Sequence, residues 1–157
     1  MDSAYKRYIQ RARNELNLSL ILMRISEDGN MQTNLFNLPE DTYFSAVISH
    51  AYYCIFYIAK AYLFTKGVQT EAPEEHKKTF TAFGELVTQG IVDVELLKIY
   101  EKMLVRAETL LSIFALEKGK RGKFTYHTLS QANREPAAES IQNAETFFRH
   151  LYTLCMG

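Results

Sequence analysis

Ser49-His50-Ala51-Tyr52-Tyr53-Cys54-Ile55-Phe56-Tyr57-Ile58-Ala59-Lys60-Ala61-Tyr62-Leu63 is the stretch that decides the fold. With Ala46 and Ile48 before it, its apolar residues run around most of a helical wheel rather than along one stripe. A helix that is apolar all round must be buried on all sides. The segment from Ala51 to Phe64 is broken by Lys60, and its length predicts a core helix, too short to span a bilayer. The helix is expected to begin near Pro39, a residue suited to the first turn, where Glu40 and Asp41 complement the dipole. Gly67 after Lys66 supplies its stop.

A central helix needs others to cover it, and the flanking sequence provides them. Before it, Ile9, Ala12, Leu16, Leu20 and Met23 recur at helical spacing and predict a helix from about Ser3 to Ser26. A polar loop from Asp28 to about Asn37 follows. After it, a third helix is expected from Pro73 to near Gly90, with Phe80, Phe83, Leu86 and Val87 as its stripe. A fourth starts around Asp93, a residue that can cap it, and carries Leu96, Leu97, Tyr100, Met103, Leu104, Ala107, Leu110, Leu111 and Phe114. It ends in the glycines Gly119 and Gly122. A fifth starts at Pro136 and carries Ile141, Ala144, Phe147, Phe148, Leu151 and Leu154. No repeat or long linker divides the 157 residues. The expectation is one all-α domain over residues 1–157, an antiparallel up-and-down bundle of about five helices.

Lys plus Arg balance Asp plus Glu at 18 each, so the chain carries no bulk positive field. Any nucleic-acid site must come from local clustering. The two cysteines, Cys54 and Cys155, fall in apolar helical patterns and read as buried, reduced thiols of a cytoplasmic protein. No Cys/His spacing suggests a metal, no glycine-rich phosphate loop or nucleophile elbow is present, and no cofactor is expected. The N-terminus is not followed by a signal-peptide-like apolar run, and no membrane association is expected.

Three segments resemble the HEPN (higher eukaryotes and prokaryotes nucleotide-binding) family. The first is the helix around Ala51-Tyr52-Tyr53, with Phe56, Ala59-Lys60 and Leu63, followed by Lys66-Gly67. The second is His76-Lys77 with Phe83, ending at Gly90. The third is the stretch from Leu96 to Arg106. Together they cover roughly residues 40–107. The resemblance implies a helical bundle that commonly forms a homodimer. It also implies two roles. Some members are metal-independent ribonucleases with an Arg-x(4–6)-His motif. Others are noncatalytic binding partners of a small nucleotidyltransferase in toxin–antitoxin pairs.

Arg121-Gly122-Lys123-Phe124-Thr125-Tyr126-His127 places Arg121 and His127 at that motif's spacing. Cleaving RNA without a metal uses the neighbouring 2′-hydroxyl as nucleophile. A histidine near neutral pKa can move that proton or protonate the leaving oxygen. An arginine can hold the phosphate through two parallel hydrogen bonds. Lys118, Lys120 and Lys123 add positive charge, and Phe124 and Tyr126 offer rings for base stacking. Counting from Gly90, however, the family register places its arginine at Arg106, where Ala107-Glu108-Thr109 simply continues the helix. Arg121 and His127 are therefore the catalytic candidates. Lys118, Lys120, Lys123, Tyr126, Arg106 and His76 are the binding candidates.

The competing reading of Lys118 to Lys123 is a solvated connection. His50 reads as a hydrogen-bonded interior histidine, His76 as an exposed residue at the start of the third helix that helps shape a groove. Glu101 and Glu108, two turns apart, suit surface pairing. The functional expectation is a module binding nucleotide, RNA or a nucleotidyltransferase-type partner in a toxin–antitoxin-like system. Its alternatives are a ribonuclease using Arg121 and His127, or an unrelated bundle holding a small ligand.

Overall fold

The computed structural model describes residues 2–116 and 134–157. Among the described residues there are five α-helices: α1 (Asp2–Ser26), α2 (Phe44–Thr65), α3 (Glu75–Thr88), α4 (Val94–Leu116) and α5 (Arg134–Met156). A π-helical segment, Met31–Leu35, lies between α1 and α2. No strand occurs among the described residues. The chain is an all-helical bundle, as the apolar periodicity requires.

Helix α2 is the hub. Val47, Ile48, Ala51, Cys54, Ile55, Ile58, Ala59 and Ala61 on it are all fully buried. At 22 residues it reaches the length and hydropathy of a membrane span, which the apolar stretch from Ala51 to Phe64 alone does not. Yet 72% of that apolar window is buried inside the fold, as in a core helix. The main core draws on all five helices, with Ile9 and Ala12 from α1, Phe83 and Leu86 from α3, Tyr100 and Met103 from α4, and Phe147 and Leu151 from α5. The rings of Phe83, Tyr100 and Phe147 meet in tilted and edge-on pairs at 5.5–5.7 Å, the arrangement aromatic quadrupoles favour. A smaller cluster of Phe44, Val47, Ile48, Ala137 and Ile141 closes the end where α2 and α5 begin.

Side-chain contacts fix the directions. Arg11 meets Tyr57 and Glu15 meets His50, so α1 and α2 run antiparallel. Arg13 over Tyr152 and Arg134 bonded to Glu27 set α5 antiparallel to α1. Arg106 against Ser140 and Asn143 against Met103 do the same for α4 and α5.

The turn chemistry follows the sequence at several points. Gly67 and Gly90 both take the left-handed conformation, with φ of 78° and 75°. The amide N–H groups of Val68 and Ile91 then bond back to the carbonyls of Leu63 and Leu86. A side chain at either glycine would be strained by that φ alone. Asp93 accepts a hydrogen bond from the Glu95 amide at 2.9 Å, capping α4.

Two local expectations change. Helix α2 starts at Phe44, not at Pro39. Gln32, buried in the loop, donates to the carbonyls of Ile25 and Asp41 and accepts from the Asp41 amide. Ser26 accepts from the Tyr43 amide. These bonds hold residues 36–43 against the end of α1 and satisfy backbone groups that a longer helix would have used. On α1, Leu20 is exposed and Ser19 takes the buried place, its hydroxyl donating to the Leu16 carbonyl at 2.7 Å. Cys54 is buried and Cys155 half-buried, and both are free thiols. Burial pushes both thiols upward, Cys155 to about 11, so neither is a thiolate at neutral pH.

Candidate functional site: an aromatic pocket between α2, α3 and α4

Ser49, Tyr52 and Tyr53 stand at i, i+3 and i+4 on α2. Leu104, Ala107 and Glu108 stand at the same spacing on α4. That spacing puts each trio on one helix face. With His76 from the first turn of α3, these residues line a pocket of about 210 Å³. One wall is aromatic and the facing wall is aliphatic, with Glu108 exposed at the side.

His76 ties the pocket together. Its ring stacks on Phe56 with centroids 3.9 Å apart and planes 17° off parallel. Its Nδ1 lies 2.8 Å from the Tyr52 hydroxyl. Burial of one face lowers the imidazole pKa below its ordinary value, opposed by the Glu75 carboxylate and assisted by Lys60. Tyr52 is pushed far up, first by burial, then by Tyr53 and by the carboxylate of Glu108. Both partners are therefore neutral at neutral pH. With Tyr52 as donor, the imidazole proton sits on Nε2.

The position of His76 depends on an anchor behind it. The Lys60 ammonium is buried on α2, forms an ion pair with Glu75 and donates to the Thr70 carbonyl at 2.9 Å. It also lies over the rings of Tyr8 and Phe56. Thr79 donates to the Glu75 carbonyl, and its hydroxyl oxygen meets that of Thr70 at 2.6 Å. These bonds fold residues 66–74 back so that α3 begins beside the middle of α2. Beside the pocket, His50 pairs with Glu15 at 2.6 Å and packs edge-on against Tyr53. His50 is thus hydrogen-bonded, as its neighbours implied, but half-buried and not interior.

Of the candidates chosen from sequence, His76 lines the pocket and shapes it. Arg106 does not. Its guanidinium points to α5, donating to the Pro136 carbonyl, to Ser140 Oγ at 2.9 Å and to Glu139. Lys102 joins the same carboxylate, and together these cations hold Glu139 below the usual carboxylate range. Arg121, His127, Lys118, Lys120, Lys123 and Tyr126 lie outside the described residues. Sequence reasoning missed Glu108 as a pocket residue. Its signal was the i, i+3, i+4 repeat of Leu104, Ala107 and Glu108, which puts an acid beside two apolar neighbours. Among the described residues, no group of three or more His, Cys, Asp or Glu side chains is placed to hold a metal.

The family model described as the HEPN domain matches residues 31–152. The chain belongs to the HEPN family. The match takes in α2, α3, α4 and nearly all of α5, and so the whole pocket. No curated protein and no solved structure matches the chain. HEPN membership is consistent with a nucleotide- or RNA-related function.

Proposed function

We propose that this HEPN protein is a nucleotide- or RNA-binding module that takes a nucleobase into the pocket between α2, α3 and α4. The observation that carries the reading is the pocket's construction. Tyr52, Tyr53 and His76 form an aromatic wall, Leu104 and Ala107 form an apolar wall opposite, and polar groups line the rim. A flat, polar-edged ring fits between such walls, because stacking satisfies its faces and the rim its edge. The described lining residues contain no Lys or Arg, so the reading rests on the base and not on the phosphate. The test is binding of 5′-mononucleotides to the wild type and to Ser49→Trp, a half-exposed position whose new ring would fill the pocket. Loss of binding in a folded variant supports the reading, and unchanged binding refutes it.

A second reading rests on the Arg121-x5-His127 spacing and is metal-independent RNA cleavage. Its test is cleavage in the presence of a chelator, with Arg121→Ala and His127→Ala alongside. Activity lost in both variants establishes it, and activity unchanged in both removes it.

The protein is further proposed to act as a cytoplasmic homodimer, or with a nucleotidyltransferase-type partner in a toxin–antitoxin-like pair. The exposed apolar run of Leu35, Phe36 and Leu38 supports an interface of one kind or the other. Sedimentation of the purified protein, alone and after co-expression with its genomic neighbours, tests both.

A further inference from the structure

We propose that Glu108 makes this pocket selective for guanine; the inference rests on the base-binding reading given above. Glu108 is the only charged side chain among the described residues lining the pocket. It is exposed, and among the described residues no cation or donor pairs with its carboxylate. Arg106, two residues earlier, is turned away to Pro136, Ser140 and Glu139. The other polar groups of the aromatic wall are largely engaged, since Tyr52 and His76 are hydrogen-bonded to each other.

A free carboxylate is an acceptor only, with two oxygens side by side. It binds best to a partner that presents two parallel N–H donors, as an arginine fork does. Among the four RNA bases only guanine has that edge, in its N1–H and N2–H groups. Adenine and cytosine each set one amino group beside a ring-nitrogen acceptor, which the carboxylate repels. Uracil flanks its one N–H with two carbonyls. Because Glu108 sits at the edge of the slot, a base stacked against Tyr52 and Tyr53 would turn its hydrogen-bonding edge toward α4. The carboxylate is exposed at the α4 side of the pocket, near enough to raise the Tyr52 phenol pKa, after burial and Tyr53.

Titration calorimetry with GMP, AMP, CMP and UMP tests this, because the shared ribose and phosphate cancel in the comparison. The expected result is GMP binding at least about tenfold tighter than the other three. Glu108→Gln, an exposed and fold-neutral change, is expected to erase that preference, and Ser49→Trp to abolish binding. Equal binding of all four, or a GMP preference that survives Glu108→Gln, overturns the guanine inference while loss in Ser49→Trp still leaves the pocket as the site. No binding of any nucleotide, or binding untouched by Ser49→Trp, overturns both. Circular dichroism of each variant confirms that it is folded.

Discussion

Lys60 and Glu75 form the pair on which the site's geometry depends, and the two partners should not be equivalent. The Lys60 side chain is 5% exposed and that of Glu75 34%. In Glu75→Ala the ammonium stays buried with only the Thr70 carbonyl and two ring faces beside it. Leaving one charge of a buried pair uncompensated costs about 3–5 kcal/mol. In Lys60→Met the carboxylate can turn to water, and the methionine fills the space between Tyr8 and Phe56. What remains is the Thr70 carbonyl without its donor, a cost of about 1–2 kcal/mol. The expected gap is about 2 kcal/mol, with Glu75→Ala the worse. Urea unfolding followed by circular dichroism reads it as a midpoint difference of about 1–2 M. Both variants should also loosen His76, which follows Glu75 directly, and weaken nucleotide binding. If Lys60→Met costs as much as Glu75→Ala, or more, the asymmetry of burial does not govern this pair and the reasoning fails.

Other outcomes follow from single contacts. Arg106→Ala removes the bonds to Pro136 and Ser140 that join α4 to α5, and should cost about 1–3 kcal/mol in the same assay while leaving nucleotide binding within about twofold; a large loss of binding with stability intact would move Arg106 into the site. Tyr100 is fully buried and its hydroxyl has no partner among the described residues, so Tyr100→Phe should be neutral or stabilising by up to about 1 kcal/mol; a clear loss of stability would reveal a partner for that oxygen. The folded state lowers the His76 pKa, so the unfolded chain binds that proton more readily. Stability is then complete above about pH 6.5 and falls as pH drops below it. His76→Gln should flatten that part of the melting-temperature profile, and an unchanged slope would assign it to other groups.

Much of the fold could be read from the chain because its determinants are local. The all-round apolar pattern of α2, the left-handed glycines Gly67 and Gly90, and the Asp93 cap each act within a few residues. Where reading failed, a distant partner decided. The start of α2 is set by Gln32 and Ser26, which reach residues 9 and 17 positions away. The inward turn of Ser19 in place of Leu20 depends on a close approach of helices that periodicity does not encode. The pocket was less legible still. Tyr52 and His76 are 24 residues apart, and they meet only because the Lys60 and Glu75 pair folds the intervening chain back. Glu108 is a surface acid, as it read, and its place in the pocket depends on Tyr52 and Tyr53, which lie two helices earlier in the chain.

Amide and aromatic NMR shifts during titration with GMP and with a short guanine-containing RNA test the central claim most directly. Base binding between α2, α3 and α4 predicts saturable shifts centred on Ser49, Tyr52, Tyr53, His76, Leu104, Ala107 and Glu108. Saturating ligand that leaves these residues unmoved, whether or not it shifts others, would contradict it.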